Sequence, residues 1–230
     1  MISEKTVELN LTAELLNWLY GATKATHFVI APSQRAEARL GFDAGFYGSG
    51  PGLFIQFKRA YVSGSIWTWR LNRTVAEDQH FRLQTLQLLG VPVFYAFPYF
   101  ATPSDVALWR MQLLTKTFWV KPLMLQPRGG PTGPHDLSFD SATGQWSLAS
   151  PEPIHIQPPS SPLTELLSFF ESESRPEELS RFVSLVNSVL FMGQLPRTAD
   201  IPEEVARLEP DFSAAEGFAL VGRAASAANP

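Results

Sequence analysis

Hydrophobic positions in the first half of the chain follow helical spacing in some segments and strand spacing in others. Leucines recur at helical spacing over residues 10–25, which predicts a first helix. A short apolar run over 27–31 predicts a strand, and Gly41 ends a short helix predicted over 34–40. A glycine-rich turn then joins the strands predicted over 42–47 and 53–63 into a hairpin. Further strands are predicted over 65–71 and 91–96, with a helix over 74–89.

The second half of the chain falls into two parts. A helix over 104–115, a strand over 117–125 and a hairpin over 137–150 continue the mixture of helices and strands. Residues 151–162 are rich in proline and show little periodicity, which is typical of a linker. We therefore expect an α/β domain over 1–150, with a mixed central sheet flanked by helices, and a linker with a C-terminal helical extension over 151–230. Helical spacing in the extension covers 163–173, 176–190, 202–208 and 214–225.

Composition narrows the class of protein. Hydrophobic residues make up 45% of the 230 residues and charged residues only 17%, which favours a packed domain over a disordered chain. Because the chain has no cysteine, a disulfide framework, a thiolate metal site and a cysteine nucleophile are excluded. The N-terminus lacks the features of a signal peptide, and no apolar run approaches the roughly 20 residues that span a bilayer. A soluble, cytoplasmic protein without a membrane partner is the expectation.

A set of polar residues around the predicted hairpin is the candidate for chemistry. Gln56 and Lys58 are two positions apart on a predicted strand, so their side chains leave the same face, while apolar neighbours occupy the other. Asp43 precedes them on the other strand of the hairpin, and a tight turn can bring it beside the pair. Glu37, on the short helix before the hairpin, could reach the same edge.

Hydrolysis of a phosphodiester needs such a set. Mg²⁺ prefers oxygen ligands and is typically held by one or two carboxylates together with substrate phosphate. Asp43 would be the central ligand, with neutral oxygens from the side chain of Gln56 and the backbone carbonyl of Phe57. Lys58 would orient or deprotonate the attacking water and offset the charge that develops on phosphorus. Glu37 could hold a second metal or a metal-bound water.

This arrangement resembles the PD-(D/E)XK nuclease superfamily over roughly residues 30–98. Asp43 and Lys58 match the family pattern well, Glu37 matches an acidic residue of the first helix, and Gln56 stands where a carboxylate is usual. Some members use Gln-X-Lys, so the change does not by itself imply inactivity, although the lost negative charge should weaken metal affinity. The resemblance implies a restriction-endonuclease-like fold and Mg²⁺- or Mn²⁺-dependent endo- or exonucleolytic hydrolysis of DNA. It also suggests a context of phage defence, mobile-element processing or repair.

Charge patterning adds candidates for nucleic-acid contact. The net charge of −4 argues against coating nucleic acid through bulk positive charge, but it is compatible with local binding of a few phosphates. Arginines cluster in the same stretch as the candidate centre, and guanidinium groups suit phosphate. In related nucleases a polar residue on the helix after the third strand helps position the metal site or the nucleic acid, and Gln84 or His80 is the candidate for this role. Ordinary surface charge is the alternative for all of them. The candidates are Arg35, Arg39, Arg59, Arg70 and Gln84.

Trp67 and Trp69 alternate on the strand predicted over 65–71. They could stack on unpaired bases. The alternative is packing within the sheet, which is common for such pairs. The sequence leaves both interpretations open.

The sequence is also compatible with two functions other than a nuclease. One is a catalytically silent nuclease-fold protein that acts as a binding or adaptor module, which the neutral Gln56 and the acidic balance favour. The other is a structural module unrelated to nucleases, in which Lys58 and Arg59 are solvated charges of an edge strand. A homodimer or a protein partner bound through the helical C-terminal region is compatible with either of the nuclease-like interpretations. Convergence of Asp43, Gln56 and Lys58 in the folded chain would separate the nuclease-like interpretations from the structural one.

Overall fold

The computed structural model describes residues 1–32, 41–48, 52–72, 78–128, 133–150 and 152–171. The helix predicted over 34–40 and all helices predicted beyond 173 lie outside these residues. The chain divides into a compact unit over Met1–Glu173 and a second over Ser174–Pro230, none of whose residues is described. The division therefore falls later than the boundary predicted at residue 150, because a strand and a helix after that point complete the first unit.

The first unit is mixed α/β, with two five-stranded sheets and, within its described residues, four α-helices. A short 3-10 helix, Pro122–Met124, follows β7. The strands are β1 (Phe28–Ile30), β2 (Ala44–Tyr47), β3 (Leu53–Phe57), β4 (Tyr61–Ser63), β5 (Ile66–Asn72), β6 (Val93–Pro98), β7 (Thr117–Val120), β8 (His135–Asp140), β9 (Gln145–Ala149) and β10 (Pro153–Ile156). The helices are α1 (Glu4–Thr23), α2 (Gln79–Leu88), α3 (Pro103–Leu108) and α4 (Leu163–Glu171).

The first sheet is mixed and has the order β1-β2-β3-β6-β7. β1, β2 and β3 form an antiparallel meander, β6 lies parallel to β3, and β7 returns antiparallel to β6. β3 is thus the middle strand of five, and all of its residues are buried. The polar face predicted for β3 is therefore covered rather than open to solvent, since Gln56 is only 2% exposed.

The second sheet is antiparallel throughout and has the order β10-β9-β8-β5-β4. The prediction of a single strand over 53–63 is therefore wrong, because this stretch contains β3 of the first sheet and β4 of the second. The chain leaves the first sheet at Lys58, whose backbone N–H still donates to the carbonyl of Ala96 at 3.1 Å. It enters the second sheet at Tyr61, which pairs with Thr68. The two sheets meet through aromatic side chains, among them Trp69 against Phe97 at 5.5 Å between ring centroids.

Helix α1 covers the first sheet. Four of its apolar side chains recur every fourth residue and are fully buried: Val7, Leu11, Leu15 and Leu19. The helix begins at Glu4, earlier than predicted, because the hydroxyl of Ser3 accepts a hydrogen bond from the backbone N–H of Thr6 at 3.0 Å and caps the first turn. It ends at Thr23, where Lys24 adopts left-handed backbone dihedrals with φ 57°.

Several predicted bounds after β6 are too long. α3 is capped by Thr102 and ends at Leu108, well before the predicted residue 115. β7 ends at Val120 because Pro122, which has no backbone N–H to donate, starts the 3-10 helix. Residues 153–156 of the predicted linker are strand β10, paired with β9. Within the described residues, no helix has both the length and the apolar character needed to cross a membrane.

Candidate functional site

Asp43 lies immediately before β2, and both its backbone and its side chain are hydrogen-bonded to β3. Its N–H donates to the carbonyl of Ile55 at 3.0 Å. Its Oδ2 accepts from the backbone N–H of Phe57 at 2.7 Å and from Nε2 of Gln56 at 2.8 Å. Two donors on one carboxylate oxygen favour the charged form and fix its position.

Gln56 links the carboxylate to helix α2. Besides donating to Asp43, its Nε2 lies 3.2 Å from the backbone carbonyl oxygen of Phe57. Its Oε1 accepts from Nε2 of Gln79, the first residue of α2, at 3.0 Å. The Gln79 amide also donates to the carbonyl of Gly41 at 3.2 Å, so α2 is tied to the chain just before Asp43.

Lys58 completes the group from the end of β3. It is 8% exposed, and its Nζ donates to Oε1 of Gln79 at 2.6 Å. The side chains of Asp43, Gln56, Gln79 and Lys58 therefore form one connected set, which we call the amide-linked centre. It contains one carboxylate and one ammonium, joined through two carboxamides.

The structure brings Asp43, Gln56 and Lys58 together, as the motif spacing predicts. The sequence predictions do not assign Gln79 to this centre. A signal for it exists, since Gln79 opens the helix that links β5 to β6, where a side chain can reach the end of β3. Glu37 lies outside the described residues, and its assignment stays a prediction.

The interpretation of Lys58 and Arg59 as solvated charges of an edge strand disagrees with the structure. β3 lies between β2 and β6 in the first sheet. Lys58 is nearly buried and donates to Gln79, while Arg59 is half-buried. A lysine in a central position of this kind needs polar partners, since burial of a charge without them is costly.

The oxygens at the centre suit a hard divalent cation in part. Asp43 offers a carboxylate, Phe57 a backbone carbonyl, and Gln56 its Oε1 once the carboxamide is turned so that oxygen rather than nitrogen faces Asp43. One carboxylate with neutral oxygens is a donor set that Mg²⁺ accepts when it keeps several waters. Within the described part of the chain, no cluster of three or more His, Asp or Glu residues suits a metal. The candidate ligands are thus few, and Asp43 is the charged one among those described.

His80, next to Gln79 on α2, belongs to a separate polar group. Its Nε2 lies 3.1 Å from the carbonyl of Leu125, and its Nδ1 lies 3.0 Å from the hydroxyl of Tyr95. Because a carbonyl only accepts, Nε2 carries the proton and Nδ1 accepts from Tyr95. We call His80 and Tyr95 the sealed pair, because both are fully buried.

Burial controls the protonation of the sealed pair. It lowers the pKa of His80 to about 4, and the positive charges of His135 and Lys58 act in the same direction. Burial also raises the pKa of Tyr95 well above its ordinary value, with a further contribution from the negative charge of Asp43. Both side chains are therefore neutral at neutral pH.

Gln84 does not fit its predicted role in contacting nucleic acid. It is 7% exposed, and its Nε2 donates to the carbonyls of Leu125 at 2.8 Å and Pro122 at 3.4 Å. Its amide satisfies the backbone that follows β7, which requires an interior position. Sequence spacing alone could not distinguish this inward side of α2 from an exposed one.

Of the four predicted arginines, the structure describes Arg59 and Arg70. Arg59 is half-buried and Arg70 is exposed, and both contact Tyr61. Arg35 and Arg39 lie outside the described residues, so their roles stay predictions.

The two tryptophans of β5 differ in exposure. Trp69 is fully buried and packs against aromatic residues of both sheets, which favours the packing interpretation. Trp67 is half-buried and lies 4.3 Å from the ring of Tyr99 between centroids. Stacking of unpaired bases is therefore not available to Trp69 in this arrangement.

Comparisons with family models, with curated proteins and with solved structures found no match for this chain. The resemblance to PD-(D/E)XK nucleases therefore stays a prediction from the sequence.

Proposed function

We propose that this chain is a metal-dependent phosphodiesterase that hydrolyses nucleic acid, with DNA as the substrate that the family resemblance implies. One observation carries the proposal. Asp43, Gln56 and Lys58, which come from separate positions of the sequence, meet in one hydrogen-bonded set, with Gln56 Nε2 2.8 Å from Asp43 Oδ2 and Lys58 joined through Gln79. A restriction-endonuclease-like core and a cytoplasmic location are parts of the same proposal. The order of a β2–β3 hairpin, α2 and a parallel β6 supports the core.

Each residue of the centre has a role in the proposed reaction. Asp43 would hold Mg²⁺ or Mn²⁺, with the carbonyl oxygens of Gln56 and Phe57 beside it. The bound cation would neutralise the phosphate and lower the pKa of an attacking water. Lys58 would orient that water and either accept its proton, as a neutral amine, or offset charge on the phosphate oxygens, as an ammonium. Gln79 is a positioning residue, since its Oε1 accepts a hydrogen bond from Lys58 Nζ.

The test is a cleavage assay with the full chain. Linear, nicked and single-stranded DNA are incubated with wild type, Asp43→Asn and Lys58→Met in Mg²⁺ or Mn²⁺. Lys5→Met is the matched control, because Lys5 is an exposed lysine paired with Glu8 on α1. We expect cleavage by wild type and the control, and none by the other two. Absence of cleavage by wild type on every substrate, or equal cleavage by all four proteins, would overturn the proposal.

A second candidate function is supported by the orientation of the Gln56 carboxamide. Its nitrogen donates to Asp43 and its oxygen accepts from Gln79, so this amide is satisfied without a cation. Such a centre suits a nuclease-fold protein that binds a partner without hydrolysis. Calorimetric titration with Mn²⁺ separates the two candidates, since the binding module shows no heat of metal binding that depends on Asp43.

A further inference from the structure

Two arginines share one tyrosine ring at the start of the second sheet. The guanidinium carbons of Arg59 and Arg70 each lie 4.6 Å from the ring centroid of Tyr61. Nε and Nη2 of Arg59 also donate to the Tyr61 hydroxyl at 2.8 and 2.7 Å. Tyr61 and Arg59 are half-buried, while Arg70 is exposed. Cation–π contacts of this kind hold a guanidinium in place without neutralising it.

Contacts with Tyr61 explain why the two arginines meet. Tyr61 pairs with Thr68 across β4 and β5, and Arg70 lies two residues after Thr68, so Tyr61 and Arg70 share one face of the sheet. Arg59 reaches the same ring from the segment that precedes β4. Like charges held close together repel each other. The fold therefore keeps an unfavourable pair at the residue that directly follows Lys58.

Nearby acidic groups offset this charge only in part. Among the described residues, the ion pairs are Lys5–Glu8, Arg82–Asp78 and Lys121–Glu165, and neither Arg59 nor Arg70 takes part in them. Asp136, on β8, pairs with Arg70, on β5. Burial raises the pKa of Asp136, and the positive charge of Arg70 acts to lower it. Among the residues that the structure describes, one half-buried carboxylate beside two guanidinium groups leaves a net positive charge that an anion would balance.

We propose that Arg59 and Arg70, held by Tyr61, form a subsite for a backbone phosphate of the nucleic-acid strand next to the phosphate under attack. The subsite rests on the proposed function. Planar guanidinium groups bind phosphate through paired N–H donors, and arginines already held by a ring lose less side-chain entropy when they bind. Because Arg59 follows Lys58, their Cα atoms are about 3.8 Å apart, so the backbone that carries the subsite adjoins the backbone of the centre. Tyr61 is a positioning residue.

Binding in the absence of hydrolysis tests the subsite. Anisotropy of a labelled single-stranded or duplex oligonucleotide is measured in EDTA over a series of salt concentrations, for wild type, Arg59→Gln and Arg70→Gln. Arg110→Gln is the matched control, because Arg110 is an exposed arginine that loses the same charge. We expect Arg59→Gln and Arg70→Gln each to reduce the slope of log K against log salt by about 0.7–0.9. The control keeps the slope of wild type.

Tyr61 variants separate positioning from charge. Tyr61→Leu removes no charge, yet it should weaken binding and reduce the salt slope, since the arginines lose their common support. Tyr61→Trp keeps an aromatic ring under the guanidinium groups and should restore most of the slope. Melting temperatures within a few degrees of wild type, for the arginine variants and Tyr61→Trp, show that folding is not the cause. A slope for Tyr61→Leu equal to that of wild type would overturn the role of Tyr61.

The outcomes distinguish this subsite from the proposed hydrolysis. Wild type that cleaves and binds, with slopes unchanged in Arg59→Gln and Arg70→Gln, overturns the subsite alone. Arginine-dependent binding without cleavage in Mg²⁺ or Mn²⁺ supports the subsite and overturns the hydrolysis. Wild type that binds no oligonucleotide overturns the subsite, and wild type that also cleaves none in Mg²⁺ or Mn²⁺ overturns both.

Discussion

Gln79 and His80, adjacent at the start of α2, belong to two polar groups of opposite character. Gln79 joins the amide-linked centre, where Asp43 carries a negative charge and Lys58 a positive one, and where Asp43 is half-buried. His80 joins the sealed pair, where both partners are neutral, fully buried and hydrogen-bonded to each other. One helix turn therefore supplies both a charged group near the surface and a neutral group in the core.

The difference shows how a buried polar side chain can be interpreted. The sealed pair satisfies its donors and acceptors with neutral groups, as buried polar residues of structural importance usually do. The amide-linked centre holds ionised groups in a place where ionisation is expensive. Charged groups that are clustered and largely withdrawn from solvent are therefore candidates for function.

The largest expected effect is a loss of activity on substitution of Lys58, which belongs to the amide-linked centre and not to the sealed pair. Lys58→Arg keeps the positive charge, but a guanidinium does not release its proton at neutral pH. If Lys58 exchanges a proton with the attacking water, we expect nuclease activity to fall by about 10²- to 10⁴-fold. Cleavage rates under saturating Mg²⁺ or Mn²⁺ measure this, with Lys5→Arg as the control. Activity within a few-fold of wild type would show that Lys58 acts through its charge alone.

The sealed pair should instead control stability against pH. The pKa of His80 is lowered from 6.5 to about 4 in the folded chain, so the unfolded chain binds the proton first as the pH falls. The stabilisation is present above pH 6.5 and is lost between 6.5 and about 4, by about 3 kcal/mol in all.

Urea unfolding at a series of pH values checks this expectation. His80→Phe no longer titrates, so its unfolding free energy should fall less than that of wild type over this range. His155→Phe, at an exposed histidine, should follow wild type. Parallel curves for wild type and His80→Phe would contradict the assignment of His80 as a neutral, buried base.

An added negative charge in the amide-linked centre should increase its affinity for a metal ion. Gln56→Glu sets a second carboxylate beside Asp43, which should tighten Mn²⁺ binding by about tenfold or more because one negative charge is added next to the cation. Calorimetric titration measures the affinity, and Gln145→Glu, an exposed position on β9, is the matched control. Equal affinity in the two variants would mean that Gln56 does not face the metal.

The smallest effect concerns Gln79. Gln79→Met removes the acceptor that lies 2.6 Å from Lys58 Nζ and the donor to Gln56 Oε1. Loss of such hydrogen bonds costs about 1 kcal/mol, so the cleavage rate should fall about fivefold. Gln157→Met, at an exposed glutamine, serves as the control. A rate identical to that of wild type would remove Gln79 from the positioning role.

Local patterning predicted the amide-linked centre better than the topology around it. A short spacing between Gln56 and Lys58, with Asp43 across a turn, depends on hairpin geometry that the sequence carries. The exchange of sheets between Lys58 and Tyr61 depends on contacts that no local pattern contains, such as Trp69 against Phe97. A continuous apolar run therefore gave one predicted strand where the fold has two.

The inward placement of Gln84 and His80 has a similar cause. Both lie on α2, whose apolar residues do not form a simple stripe, so periodicity does not show which side is buried. Their partners, the carbonyls of Pro122 and Leu125, belong to a segment far along the chain. Only tertiary structure decides that this side of α2 satisfies backbone acceptors.

Parallel pairing of β3 with β6 determines when the centre assembles as the chain folds. A parallel partner requires a crossover, and here the hairpin β4–β5 and helix α2 both lie between the two strands. Contacts between residues distant in sequence form late, because the loop must close before they stabilise the chain. Asp43 and Gln56 can meet as soon as their hairpin forms, whereas Lys58 reaches Gln79 only when α2 docks. We therefore expect the nascent chain to complete its charged centre only after β6 has been synthesised.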